Sequence, residues 1–141
     1  MSPAHVPPWL RRLAWAGLLL WGATITCLSS MSARELARFS QFTFWDKAEH
    51  FLAFATGSAI LLTALRWSTE WRAMRLVPVT ILAISLFGAI DEIHQLFTPG
   101  RSGGDLFDWT ADTLGAAAGV LAALIFHARH SRSRLLASAG D

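Results

Sequence analysis

Apolar and polar positions along this chain are sorted into long blocks rather than alternating at strand spacing. Four stretches carry no charged residue: 13–33, 51–65, 76–90 and 113–126, which are 21, 15, 15 and 14 positions long. Clusters of ionisable residues separate them. A run of ~20 apolar residues crosses a bilayer core of ~30 Å as a helix, and the first block reaches that length alone. The other three cover only about 22 Å at ~1.5 Å per residue. Each needs another turn or two, and the residues at hand are polar: Asp46 to His50 before the second block, Asp91 to Gln95 after the third, Asp108 to Asp112 before the fourth. The pattern predicts an all-α, integral membrane four-helix bundle, with helices at about 13–33, 46–66, 76–97 and 106–127. It also draws ionisable side chains to membrane depth, where they are costly and usually pair or line a cavity.

The connecting segments read as follows. Residues 1–12 form a polar lead broken by Pro3, Pro7 and Pro8 and closed by Arg11 and Arg12. A signal peptide cleaved near Ser30-Met31-Ser32 is the rival reading of the first block, but 21 apolar positions are long for one; a retained span is expected. Arg34 to Trp45 reads as a short amphipathic connector whose Phe39, Phe42, Phe44 and Trp45 suit the membrane interface. Arg66 to Arg75 is a basic loop, and Pro78 is placed for the first turn of the third helix. From His127 the tail is basic and polar, with a disordered end expected; residues 129–141 read as a basic tail behind a membrane domain of residues 13–128. Neither an internal repeat nor a low-complexity linker is visible.

Basic residues set the orientation. With the N-terminus inside, Arg11, Arg12, Arg66, Arg72, Arg75, Arg129, Arg132 and Arg134 are cytoplasmic, while Arg34, Arg38, Lys47 and Arg101 lie outside, 8 against 4. The positive-inside rule favours this arrangement, with both termini cytoplasmic in a multi-pass protein of the inner (plasma) membrane. All three polar motifs then meet at the outer end of the bundle.

Composition adds three exclusions. At 53% hydrophobic and 16% charged, with seven tryptophans, the 141 residues hold one compact unit, too apolar for a soluble domain of this size. The net charge is +2 with dispersed basic residues, which speaks against nucleic-acid binding. Cys27 is the sole cysteine, so neither a disulfide framework nor a CxxC pair exists; it is expected as a small buried apolar residue. Gly115-x-x-x-Gly119, with Ala116 to Ala118, makes a small-residue face on the fourth helix, expected to pack within the bundle rather than between copies. Gly57 and Gly88 are expected to serve the second and third helices likewise.

The chemistry concentrates in Gly88 to Arg101. The third apolar block stops on Asp91 and Glu92, and His94, Gln95 and a Pro99-Gly100-Arg101 turn follow. On a helix, Asp91 and Gln95 stand at i,i+4 and Glu92 and Gln95 at i,i+3, so their side chains share a face. The bland reading makes all these residues helix ends: Asp46 and Asp108 complement N-terminal dipoles, and Lys47 snorkels. Asp91 and Glu92 argue against it, since a helix C-terminus disfavours carboxylates. His94 reads as an ordinary interface histidine.

Asp46-Lys47-x-x-His50-Phe51, Asp91-Glu92-x-x-Gln95-x-Phe97-x-Pro99-Gly100-Arg101 and Asp108-x-x-x-Asp112-x-x-Gly115 together resemble the VanZ-like family of small membrane proteins, from about Trp45 to Gly119. Two positions depart from the family pattern: Asp112 stands where Asn is usual, and the aromatic after the first motif is Phe54. The resemblance implies a ligand-binding set of Asp46, Lys47, His50, Asp91, Glu92, Gln95, Arg101, Asp108 and Asp112, and the family name implies reduced glycopeptide (teicoplanin) susceptibility. Three occupations of such a site remain open. Lys47 and Arg101 could pair with Asp91, Asp108 or Asp112 in a structural ion network. Lys47, His50 and Arg101 could face a phosphate or carboxylate, which arginine's fork suits. A divalent metal could sit on Asp91, Glu92, Asp108, Asp112 and His50, though no strong spacing signature such as HExxH supports it; the sequence names no cofactor. The leading function is a cell-envelope role, through recognition of a lipid-linked or envelope-active compound at that site. The rivals are a hydrolase or transferase acting on an envelope lipid, with His50, Asp91 or Glu92 as its acid or base, and a non-catalytic assembly factor.

Overall fold

The structure, a computed structural model, describes residues 6–39 and 46–138, with side chains for 6–38 and 47–133. Five helices occupy the described chain: α1 (Pro8–Ser29), α2 (Ala33–Phe39), α3 (Asp46–Ser68), α4 (Ala73–Gln95) and α5 (Leu106–Ser138). Strands are absent among the described residues. Four of the helices supply spans of 22, 22, 23 and 28 residues that are apolar enough to cross a membrane. A 22-residue helix is about 33 Å long, close to the ~30 Å hydrocarbon core. The expected bundle of four spans is therefore present, and a short fifth helix joins it.

Boundaries differ from expectation for local reasons. α1 starts at Pro8, with proline in the first helical position, where its missing N–H breaks no bond. It stops at Ser29 because a new helix is capped just beyond. Ser32 Oγ accepts the Glu35 N–H (3.4 Å), and Glu35 Oε2 accepts from both Ser32 Oγ (2.6 Å) and Ser32 N (2.8 Å). This Ser-x-x-Glu capping box opens α2. The Ser32 hydroxyl, then its N–H, holds the Glu35 carboxyl below its ordinary value of 4.5. The connector aromatics Phe42, Phe44 and Trp45 lie outside the described residues, as does the Phe39 side chain.

The basic loop shrinks to residues 69–72, because α4 extends down to Ala73. Pro78 is consequently inside α4 rather than in its first turn, and the Met74 carbonyl has no N–H from it. α5 runs through the basic tail to Ser138. Between Gly119 and Gly140 nothing breaks a helix, and Arg, Leu and Ala favour one.

α3 and α5 form the central pair. A Cβ built on Gly115 would strike the Phe51 carbonyl oxygen, and one on Gly119 the Ala55 carbonyl oxygen. The expected small-residue face thus lets two backbones touch within the bundle. α1 rides on α3, with the Trp21 ring over Gly57 and Trp21 Nε1 donating to the Ala53 carbonyl (2.8 Å). Phe54, Leu61, Ile84 and Ala116 fill one core layer, with Trp21 and Phe87 beside it. Leu62, Leu76, Val120 and Ala123 fill the next. Leu19, Leu20, Leu82, Leu86, Leu114 and Leu121 point outward, as a lipid-facing surface requires. Cys27 is exposed on this outer surface, not buried as expected, because α1 lies at the edge of the bundle. Thr56, Thr63 and Thr80 return their hydroxyls to carbonyls one turn back, which satisfies them without water.

Two contacts fix which helix ends lie together. Trp15 Nε1 donates to Ser68 Oγ (2.9 Å), and Thr63 Oγ1 lies 3.2 Å from His127 Nε2. The start of α1 and the ends of α3 and α5 share one end of the bundle, which carries Arg11, Arg12, Arg66 and Arg129. The polar motifs occupy the other.

Candidate functional site

At that second end, α1, α3, α4, α5 and the α4–α5 loop converge. The first half of the site grows from the end of α4. Asp91 Oδ2 accepts from Ser29 Oγ of α1 (2.8 Å) and from Gln95 Nε2 one turn along (2.9 Å). With its amide so oriented, Gln95 presents Oε1 to Arg101, which donates from Nη2 (2.7 Å) and Nε (3.2 Å). Asp91 and Gln95 are both buried, and Arg101 is half-buried. The Pro99-Gly100 turn holds Arg101 over the helix ends, and it is tied to α1 by Thr98 Oγ1 donating to the Ser29 carbonyl (3.1 Å). The expected face shared by Asp91 and Gln95 is present. Glu92 does not join it and turns instead towards α5.

The second half lies between α3, α4 and α5. Glu92 Oε2 accepts the Asp105 N–H (2.9 Å), and the Glu92 carbonyl accepts the Gly104 N–H (3.0 Å). Gly104 adopts a left-handed φ of 75°, a conformation glycine takes without strain. Asp105 Oδ1 caps α5 at the Phe107 N–H (2.7 Å). Lys47 Nζ pairs with Asp105 (3.0 Å) and with Asp108. The Lys47 ammonium and then the Phe107 N–H hold the Asp105 carboxyl below its ordinary 3.8. His50 Nδ1 donates to Asp112 Oδ1 (2.9 Å), and its ring stacks near Phe54 at 6.3 Å. Asp112 is wholly buried. Two oxygens here, Glu92 Oε1 and Asp112 Oδ2, are buried with no hydrogen-bond partner among the described residues. One ligand atom each from His50, Glu92 and Asp108 lie within 4.8 Å of one another.

His50 joins the halves, for it also borders a cavity of about 220 Å³. The wall of the cavity is apolar, with Ile25 and Leu28 of α1, Leu36 of α2, and Ala53 and Phe54 of α3. Its polar side comprises Glu49, His50, Asp91, Gln95, Arg101 and Ser29.

Eight of the nine residues singled out in the sequence, Lys47, His50, Asp91, Glu92, Gln95, Arg101, Asp108 and Asp112, come to this end. Asp46 opens α3, but its side chain lies outside the described residues. His94 stands apart, exposed, with Nε2 3.0 Å from Ser30 Oγ. Of the ion pairs considered for Lys47 and Arg101, Lys47–Asp108 forms, whereas Arg101 meets no carboxylate among the described residues. Sequence reasoning missed Ser29, Glu49 and Asp105. The Asp105-x-Phe107 spacing ahead of the fourth helix is a cap signal that could have identified Asp105; nothing local marks Ser29.

Neither the curated proteins nor the solved structures contain a match to this chain. A family model described as VanZ/LLP1 matches residues 13–127, which include most of each of the four spans and every motif at the site. The chain belongs to the VanZ-like family of multi-pass membrane proteins.

Proposed function

We propose that the protein recognises an envelope lipid or lipid-linked compound, binding its anionic head in the cavity beside Arg101. The single observation that supports this most is the state of Arg101. Its guanidinium borders a cavity yet is held only by a neutral amide carbonyl, with no carboxylate within 4.0 Å among the described residues. A cation so placed has bonding capacity left for a phosphate or carboxylate. Glu49 would take a hydroxyl or amine group beside it, and the wall of Ile25, Leu28 and Leu36 suits an alkyl chain. The basic residues gathered at the opposite end favour a cytoplasmic location for that end and for both termini. The site then faces the outer leaflet of the inner membrane. A role in glycopeptide susceptibility would follow if the bound compound belongs to the wall-building machinery.

A second reading is favoured by the His50–Asp112 pair at the cavity edge. A buried carboxylate accepting from Nδ1 leaves Nε2 as the basic nitrogen, the arrangement of a general base in a hydrolase or transferase acting on an envelope lipid. One experiment addresses both. The purified protein is incubated in detergent with envelope lipid extract, washed, and its bound lipids are identified by mass spectrometry. Recognition predicts one lipid class enriched over its share of the extract and lost in Arg101→Met. Catalysis predicts a new lipid product that His50→Asn abolishes. Bound lipid in the proportions of the extract, unchanged by Arg101→Met and without product, would remove both readings.

A further inference from the structure

We propose that His50, Glu92 and Asp108 bind one divalent first-row transition-metal ion, Zn²⁺ or Mn²⁺, between α3, α4 and α5, with Asp112 orienting the histidine from behind. This is compatible with recognition through Arg101, and it excludes His50 as a general base, because the ion takes the ring nitrogen that Asp112 does not hold.

Three observations converge on it. The donor atoms of His50, Glu92 and Asp108 already lie within 4.8 Å of one another. Ligands at ~2.0–2.2 Å around a tetrahedral ion stand about 3.4 Å apart, so an ion need draw any two of them together by at most about 1.4 Å. Second, Glu92 is 4% exposed and its Oε1 has no hydrogen-bond partner among the described residues. A buried anionic oxygen is expected to be paired or to coordinate a metal. Glu92 Oε2 is held by the Asp105 N–H, which fixes the carboxylate and leaves Oε1 as the unengaged end. Third, His50 Nδ1 donates to the buried Asp112, the carboxylate–histidine arrangement that orients and strengthens metal-binding imidazoles.

Charge accounting points the same way. Four carboxylates, Glu92, Asp105, Asp108 and Asp112, surround this spot, and Lys47 directly pairs with two of them. Lys47 engages Asp108 through Oδ1, and a carboxylate retains a second oxygen for an ion. If all four are ionised, Lys47 leaves three negative charges, of which a divalent ion would offset two. The mixed set of one imidazole and two carboxylates selects Zn²⁺ or Mn²⁺ over Ca²⁺ and Mg²⁺, which prefer all-oxygen shells.

The test uses the full chain in detergent, with no histidine tag, stripped with chelator and titrated with ZnCl₂ or MnCl₂ alone. Uptake is counted by elemental analysis and affinity by calorimetry. Wild type should hold one ion more per chain than Glu92→Gln, a difference in which ions on exposed His94 or His130 cancel. Asp112→Asn should bind about 10–100-fold more weakly, as loss of an orienting carboxylate does elsewhere. Lys47→Met should retain the ion. Equal uptake by wild type and Glu92→Gln overturns the proposal. So does a wild type that takes up no ion while Glu92→Gln melts higher, which would mean a proton, not a metal, occupies the cluster. If Glu92→Gln does not fold, equal affinity in wild type and Asp112→Asn overturns it.

Discussion

Replacing Arg101 by Met separates recognition from stability. The change removes two N–H donors from Gln95 Oε1, and Gln95 is 4% exposed. A buried acceptor left unsatisfied costs about 1–3 kcal/mol. Little packing is lost with it, since Arg101 lies on a loop and is half-buried. At about 2–4 °C per kcal/mol for a chain near this size, the melting temperature should fall by about 2–12 °C, leaving folded protein in the membrane. Removing both partners in Gln95→Leu/Arg101→Met abolishes the unsatisfied acceptor. It also takes the Gln95 N–H from buried Asp91, which keeps the Ser29 hydroxyl, so the double variant should regain only part of that loss. Bound envelope lipid should be lost in the single and the double variant alike. Thermal unfolding in detergent and lipid mass spectrometry, run on the same preparations, read the two effects. A double variant that regains both stability and lipid would show Arg101 to be structural and refute the reasoning.

Three further outcomes are expected. In Gly119→Val, the new side chain meets the Ala55 carbonyl and Ser58 Oγ, and overpacking should cost about 1–3 kcal/mol or more; unchanged melting would contradict the close α3–α5 contact. Asp105 has a depressed pKa in the folded protein, so the stability it contributes is present above 3.8 and is lost as pH falls through the lower folded value. Asp105→Asn should therefore flatten the acid limb of the stability profile below about pH 4, and an unaltered limb would show the Lys47 pair to be inconsequential. In a Cys27→Ser background, Ser102→Cys should react with an impermeant thiol reagent on intact cells and Ser133→Cys only after lysis; the reverse pattern would place the site in the cytoplasm.

The spans were legible because hydrophobic block length is a one-dimensional property. The shortness of three blocks carried more information than their composition, since it forced Lys47, Asp91, Glu92, Asp108 and Asp112 into the helices. What the sequence did not reveal depends on register between helices. Glu92 and Gln95 share a face by spacing, yet the Asp105 and Gly104 N–H groups pull Glu92 towards α5. Ser29 reaches Asp91 from 62 positions away, an alignment set by contacts between helices such as Trp21 on Gly57 and Thr98 on the Ser29 carbonyl. Helix ends were misjudged where charge was taken as a stop. Arg72 and Arg75 flank or enter α4, and Arg129 and Arg132 continue α5, because arginine is a good helix former and its head reaches solvent. The Ser32–Glu35 capping box was readable, but Ser32 was weighed as part of a cleavage site and Glu35 as part of an amphipathic connector.

The central claim is that this cavity selects its occupant from the bilayer, and site-directed photocrosslinking tests it most directly. A benzophenone side chain is placed at Leu36 on the cavity wall or at Leu121, which is 59% exposed on the outer face of α5. Membranes are irradiated, and the crosslinked lipids are identified. The account predicts one envelope lipid class captured from Leu36 and absent from Leu121, and lost from Leu36 when Arg101→Met is added. Bulk phospholipids captured in the same proportions from both positions, with or without Arg101, would contradict it.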